Sequence, residues 1–239
     1  MTLTRELVYG RNAARELYRG PRQVLETWVT ERAATQIPWL DAGPRPQVKP
    51  ERLLTEAVAT RDHQGIVAWC EPFRYADTHE LARVPAPLLV CLDQVTDPHN
   101  LGAVVRSADG VGATGVVIPG HGSVRVTSAV CRASAGAVEH VPIAVVPNLA
   151  RYLAEVKSSD LWAYAADAEG TVSMWDADLT GGVALVLGAE GKGVRPLVRR
   201  TCDATVSIPL GGKVGSLNVS VAAAVLLFEA ARQRRNGDG

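Results

Sequence analysis

From Leu88 onward the chain alternates short, mostly apolar runs with helix-like ones, and nothing else in the sequence limits the fold so strongly. Pro87–Leu92, Gly115–Ile118, Val141–Val146, Leu161–Ala165, Val183–Leu187 and Thr205–Ile208 read as strands. Asn100–Gly110, Thr127–Ala137 and Asn148–Lys157 read as intervening helices, and Val219–Arg235 as a closing one. Strands without polar alternation are buried on both faces, and strands joined through helices run parallel. The expected fold class is therefore α/β, with a parallel sheet covered on both sides.

Residues 1–75 lack that rhythm. Asn12–Arg19 and Pro50–Thr60 read as helices there, and Val24–Thr30 and Gly65–Cys70 as strands. Glu71–Pro87, with three prolines and mixed charges, reads as the connection. The expected organisation is a small domain over 1–75, a linker over 76–87 and a larger domain over 88–239.

Composition excludes some classes. The formal net charge is zero, and residues 1–75 carry 11 Lys/Arg against 9 Asp/Glu. A nucleic-acid site would then be a local patch, since no global field announces one. Cys70, Cys91, Cys131 and Cys202 form no CxxC pair and have no neighbouring His at zinc spacing, so no metal is expected. Isolated cysteines with apolar neighbours suit reduced core positions and a cytoplasmic protein. Met1–Gly10 has no signal-peptide pattern, and the apolar run Val221–Phe228 is too short for a bilayer.

Two glycine motifs fail on context. Gly110–Gly115 fits GxGxxG, yet it follows a helix and precedes a strand, the reverse of a dinucleotide site. Gly188–Gly193 has Val186 where a phosphate loop needs its first Gly, and Gly193 where it needs Ser or Thr. What remains is a strand ending in a flexible loop, the usual ligand position in an open α/β sheet.

Asn100 reads as a helix N-cap. Arg106, six residues on among apolar neighbours, reads either as a snorkelling side chain or as a guanidinium held for phosphate. Gly211–Ser220 joins glycines to Ser216, Asn218 and Ser220 just before the closing helix, a segment that suits capping or ligand contact. Arg11, Arg15 and Arg19 recur every fourth residue. They suit RNA phosphates, or a solvated face relieved by Glu16. Tyr9, Tyr18 and Trp28 could stack on bases, though core packing is the commoner fate. Arg232, Arg234 and Arg235 complement the dipole of the closing helix.

Three segments in order, DPHNLGAVVRSADGVGATGVVI (97–118), LVLGAEGKGVRP (185–196) and IPLGGKVGSLNVSVAAAVLLFE (208–229), resemble the motifs of the SpoU (TrmH-type) RNA 2′-O-ribose methyltransferases of the SPOUT superfamily. ASAGAVEHVPIAVV (133–146), VYGRNAARELYRG (8–20) and HQGIVA (63–68) are similar to the 23S ribosomal RNA guanosine branch. The resemblance implies a C-terminal domain with a deep trefoil knot that binds S-adenosylmethionine and pairs as a homodimer. It implies an N-terminal domain, similar to ribosomal protein L30e, that binds the RNA substrate; the stripe of Arg11, Arg15 and Arg19 supplies the candidate contacts there. Carried over by motif position, Asn100, Arg106, Glu190, Ser216 and Asn218 would be catalytic. Leu187, Gly188, Gly191, Ile208, Leu210 and Leu217 would hold the cofactor. A transfer-RNA or antibiotic-resistance methyltransferase is the alternative within the family. A non-catalytic RNA-binding assembly factor is the alternative outside it.

Overall fold

A computed structural model describes residues 5–157, 160–189 and 191–237. In chain order the elements begin with β1 (Glu6–Tyr9), α1 (Arg11–Arg19), β2 (Val24–Val29), α2 (Glu31–Gln36), β3 (Gln47–Val48), α3 (Glu51–Val58) and β4 (Ile66–Cys70). They continue with α4 (Thr78–Arg83), β5 (Leu88–Asp93), α5 (Pro98–Val111), β6 (Gly115–Pro119), α6 (Ser128–Ala133), β7 (Ile143–Val146) and α7 (Leu149–Val156). The last are β8 (Leu161–Ala166), β9 (Val172–Ser173), β10 (Gly182–Gly188), α8 (Pro196–Thr201), β11 (Ala204–Ser207) and α9 (Val219–Gly237). Contacts divide the chain into two compact units. The first holds residues 1–74 together with 125–140, and the second holds 75–124 with 141–239.

The first unit is built on a four-stranded sheet in the order β1-β4-β2-β3. β4 is buried along its whole length and pairs antiparallel with β1 and β2, while β3 adds a parallel edge to β2. Successive side chains of a strand point to opposite faces. Ile66 accordingly joins Ala14, Val29, Ala33, Ile37 and Leu40 in one cluster, and Val67 and Trp69 join Leu54 in another. Gly10 starts α1 at φ 90, a conformation that disfavours side chains.

Residues 125–140 pack on this sheet, with α6 against β1. Arg22 fastens them: its Nε donates to Glu139 Oε2 at 3.0 Å, its Nη2 to Glu139 Oε1, and its Nη1 to Glu6 Oε2 at 3.0 Å. Arg22 and Glu139 are both buried. Burial alone would lower the arginine's pKa, but the Glu139 carboxylate outweighs it and raises it, so the guanidinium stays charged. His140 Nε2 adds a contact of 3.0 Å to Glu16 Oε2. Sequence reading placed 125–140 wholly with the larger domain, because helix and strand periodicity says nothing about which core a helix joins.

The second unit is a seven-stranded parallel sheet in the order β7-β6-β5-β10-β8-β11-β9. Its six longer strands fall on the six expected strand segments; five are largely buried, and β11, which carries Thr205 and Ser207, is buried at its two middle residues. One face packs a core that includes Leu89, Val117, Leu149, Leu153 and Val186. On α5 and α9, which pack against each other, Val104, Val105, Leu226 and Leu227 are fully buried.

The expected linker carries α4, capped by Asp77, whose side chain accepts from the backbone N–H groups of His79 and Glu80. Leu81 enters the core of the second unit, and Ala76 bridges to Ala144. The prolines at 85 and 87 lie beyond that helix and end it rather than prevent it. α5 also begins earlier than expected. Asp97 caps it, accepting from His99 N–H at 2.9 Å, and Pro98 takes the first helical position. Asn100 is therefore inside the first turn, not the cap.

Candidate active site

The site forms where the chain order of the parallel sheet reverses. From β10 the strands run outward through β5, β6 and β7 on one side and through β8, β11 and β9 on the other. Loops at the carboxyl ends diverge at such a point and leave a crevice. A cleft of about 760 Å³ lies there, lined by the ends of β8 and β10, the loop after β10, and the segment 208–218 before α9.

Gly188 ends β10 beside Asp93, the last residue of β5. A Cβ built on Gly188 would overlap the backbone of Gly193, so only glycine allows the loop to fold back this closely. The loop returns through Gly193 N–H to Ala189 O at 2.9 Å, with Gly191 and Gly193 at φ 73 and 63. Arg195 anchors its far end. The backbone N–H and the Nε of Arg195 each donate to Asp93 at 2.8 Å, and its Nη2 lies 2.7 Å from the same carboxylate.

Opposite, residues 208–218 have no regular secondary structure until Asn218 starts α9. Asn218 Oδ1 accepts from Ser220 N–H at 2.8 Å and from Ser220 Oγ at 2.6 Å. Its Nδ2 donates to Asn100 Oδ1 at 3.0 Å. One side chain thus caps α9 and ties it to the first turn of α5.

All six residues expected to hold the cofactor line this cleft: Leu187, Gly188, Gly191, Ile208, Leu210 and Leu217. Ser216 and Asn218 line it too, and Asn100 reaches it through Asn218. Arg106 projects from α5, exposed, with no hydrogen bond or ion pair to another described residue. Glu190 lies outside the described residues. Among the described residues no group of His, Cys, Asp or Glu could hold a metal ion, and no helix is long and apolar enough to cross a membrane. Burial pushes the thiol of Cys70 up to about 11 and those of Cys131 and Cys202 to about 12, which makes them poor nucleophiles.

Two parts of the site carry no sequence motif. Ala166, Asp167 and Ala168 contribute the wall at the end of β8, where only an acidic residue after an apolar strand gives a signal. Asp93 ends another apolar strand, and its partner Arg195 is 102 residues away in the chain.

The three helical arginines are on the first unit. Arg15 Nε pairs with Glu16 at 2.7 Å and Arg19 Nη1 with the same carboxylate at 3.4 Å. Arg11 instead donates to Gln64 O at 3.2 Å and Gln36 Oε1 at 2.9 Å. Burial would raise the Glu16 pKa, but hydrogen bonds from Arg15 and His140 hold it below the ordinary value. Tyr18 and Trp39 pack edge to face, as do Trp28 and Trp69.

Comparison with known proteins agrees with this arrangement. Residues 87–228 match the SpoU rRNA methylase family, and residues 7–76 match the family of RNA 2′-O ribose methyltransferase substrate-binding domains. A 23S rRNA (guanosine-2′-O-)-methyltransferase from Shewanella oneidensis is 40% identical, the match covering 97% of this chain and 98% of that protein. A protein of the same name from Vibrio vulnificus is 38% identical over 97% of this chain and 98% of its own length. Among solved structures, the SpoU methyltransferase AviRb from Streptomyces viridochromogenes, in complex with the cofactor AdoMet, superposes with a TM-score of 0.84. That match has 27% identity and covers 98% of this chain and 92% of that one. The family match spans the sheet and both walls of the cleft, and on that ground the chain belongs to the SpoU rRNA methylase family.

Proposed function

We propose that this protein methylates a ribose 2′-hydroxyl of RNA with S-adenosylmethionine, and that its substrate is a guanosine of 23S ribosomal RNA. The observation that carries the reading is the cleft itself. The residues of two widely separated motifs converge there, and Asn218 ties them to the third through Asn100. The relatives' shared name, at about 40% identity over nearly the whole chain, supports the choice of RNA and nucleotide.

The cleft suits the cofactor. Its volume is within the range of small-molecule sites, and its walls combine Leu187, Ile208, Leu210 and Leu217 with glycine backbone. Apolar walls would cover the adenine, while backbone groups at Gly188, Ile208 and Leu217 would meet its edge. When bound, S-adenosylmethionine supplies a methyl group already activated on a sulfonium.

The protein's own residues then have to place the 2′-oxygen in line and manage its proton. Arg106 has its guanidinium exposed and uncommitted among the described residues, so it is available to an RNA phosphate and to the charge that develops on the attacking oxygen. Arginine stays protonated in proteins, so we assign it no role as a base. Asn100, Asn218 and Ser216 orient the ribose, and Glu190 belongs to the same set by its motif.

The reading extends to architecture. β11 lies beyond β8, yet α9 packs on α5 across the sheet, so the segment 208–218 recrosses the strand ends. That course is what a trefoil knot requires. Val221 and Phe228 remain exposed on α9 at 47% and 56%, which suits pairing with a second copy in a homodimer. The mixed four-stranded sheet suits an RNA-binding domain similar to ribosomal protein L30e. A cytoplasmic location follows from the substrate.

The test is transfer of labelled methyl from S-adenosylmethionine to a 23S rRNA transcript, followed by mapping of the methylated ribose. We expect one modified guanosine. Arg106→Lys should lower kcat/KM by about 100-fold with cofactor affinity unchanged, because an ammonium cannot make the two-point contact. Near-full activity of Arg106→Lys would refute that role. Failure to bind S-adenosylmethionine in calorimetry would favour a non-catalytic assembly factor.

A further inference from the structure

The first unit contains a second large concavity, far from any motif of the cofactor cleft in sequence. It has a volume of about 950 Å³, within the range of nucleotide-sized ligand sites. It opens beside β3, the edge strand of the sheet, between the starts of α2 and α3 and the loop before β4.

Its charges are unusual for an ordinary surface. Arg11, Arg32, Lys49 and Arg61 line it, against the two carboxylates Glu31 and Glu51. Both carboxylates sit in the first turn of a helix, where an acid complements the dipole. Arg32 and Arg61 are exposed and form no side-chain hydrogen bond or ion pair with a described residue. Lys49 lies over the ring of Trp28, 5.5 Å from its centroid. Unpaired cations around a concavity are a place for anions. The stripe on α1 is less available, since Arg15 and Arg19 already share Glu16.

The rim is also preorganised. Gln64 takes a left-handed φ of 53, which a non-glycine residue adopts at a cost. It is held there by Arg11, whose backbone N–H donates to Gln64 Oε1 at 2.9 Å and whose Nε donates to Gln64 O. The buried ring of His63 supports the loop from beneath, with Thr55 Oγ1 at 3.1 Å and the Gly65 N–H at 3.1 Å. Val48 gives one wall an apolar edge, 57% exposed. Cations, a fixed backbone rim and one apolar edge together match a nucleic-acid strand better than a free anion, which would use the cations alone.

We propose that this groove is where the substrate-binding unit grips its RNA. Arg32, Lys49 and Arg61 hold backbone phosphates, and Val48 packs against a sugar or base. The proposal rests on the reading of the protein as an RNA methyltransferase and adds the place of contact.

Filter binding of a radiolabelled 23S rRNA transcript to the full-length chain tests it. Arg32→Gln/Arg61→Gln should weaken binding about tenfold near physiological salt. It should also reduce the slope of log affinity against log salt by about 1.4 to 1.8, as two lost phosphate contacts require. A control variant, Arg45→Gln/Arg52→Gln, removes the same charge from the same unit outside the groove and should change affinity less than twofold. Both variants should keep wild-type affinity for S-adenosylmethionine and wild-type Tm. Equal weakening in the groove and control variants would overturn the proposal. So would displacement of the transcript by inorganic phosphate at constant ionic strength. A wild-type chain that binds S-adenosylmethionine but not the transcript would overturn the substrate reading and the groove with it.

Discussion

At the scale of single residues, Gly188 is the position where one added carbon does most harm. Its Cβ would enter the Gly193 backbone, so Gly188→Ala must push the loop into or away from the cleft. Overpacking of this kind costs about 1–3 kcal/mol. We expect cofactor affinity, measured by calorimetry, to fall at least about tenfold while the sheet stays folded. His63 has the opposite character, a buried support rather than a boundary. Burial lowers its pKa, and the Gly65 N–H pointing at Nδ1 requires that nitrogen unprotonated. The unfolded chain therefore binds the proton more readily, and stability is full above about pH 6.5 and falls as the pH drops through the lowered folded value. Glu16, also lowered, adds loss of the same sign at more acidic pH. The fall in Tm on acidification from about pH 7.5 to 5.5 should shrink in His63→Gln. A slope unchanged from wild type would show that His63 does not carry it. Neither role was legible from residue type. Glycine in a loop reads as a turn, and a lone histidine gives no sign of what surrounds it.

At the scale of elements, the loop between β10 and α8 is held by a pair of which only Arg195 lies in a motif segment, Asp93 standing outside all three. Asp93 is fully buried at the end of β5 and spends its carboxylate on Arg195. Removing the guanidinium in Arg195→Met leaves that buried carboxylate with the backbone N–H alone, a loss of about 2–3 kcal/mol. Differential scanning fluorimetry should show a lower Tm, and calorimetry a weaker cofactor complex. Arg195→Lys should restore less than half of the loss, because an ammonium cannot reproduce the forked contact. Full restoration by lysine would mean that charge alone suffices. The longer strands of the parallel sheet were readable, since burial on both faces favours an apolar run, whereas β1, β3 and the two-residue β9 were not. α4 and α8 were not, because each has only six residues, a single amphipathic turn beside prolines. The C-terminal arginines also had a more specific use than dipole complement. Arg234 donates to the carbonyls of Ala86, Pro87, Leu179 and Gly181, and Arg232 pairs with Glu229.

At the scale of the whole molecule, the boundary near residue 75 does not separate two independent pieces of chain. Residues 125–140 leave the sequence of the larger unit and join the smaller one through Arg22 and Glu139. A truncation that removes residues 1–75 therefore strips α6 of its support, and it cannot isolate RNA affinity. Breaking one side of such a buried pair costs about 3–5 kcal/mol, whereas replacing both sides by apolar groups is often neutral. Urea unfolding should show Arg22→Met strongly destabilised and Arg22→Met/Glu139→Leu close to wild type. Limited proteolysis of Arg22→Met should cut first within 125–140. If the double variant were as unstable as the single one, the pair would be needed for more than charge balance.

The chain's own order of residues determined the parallel α/β sheet, the three longest helices of the larger unit (α5, α7 and α9), and most of the residues that line the cleft. These are properties of local pattern: apolar runs of strand length, helical periodicity, and glycines and asparagines at loop positions. The rest depends on residues far apart in the chain meeting in space. Asp93 meets Arg195, Arg22 meets Glu139, and Arg32 converges with Lys49 and Arg61 around one groove. Each partner alone is an ordinary charge, and only the tertiary structure decides whether it is solvated, paired or left open to a ligand.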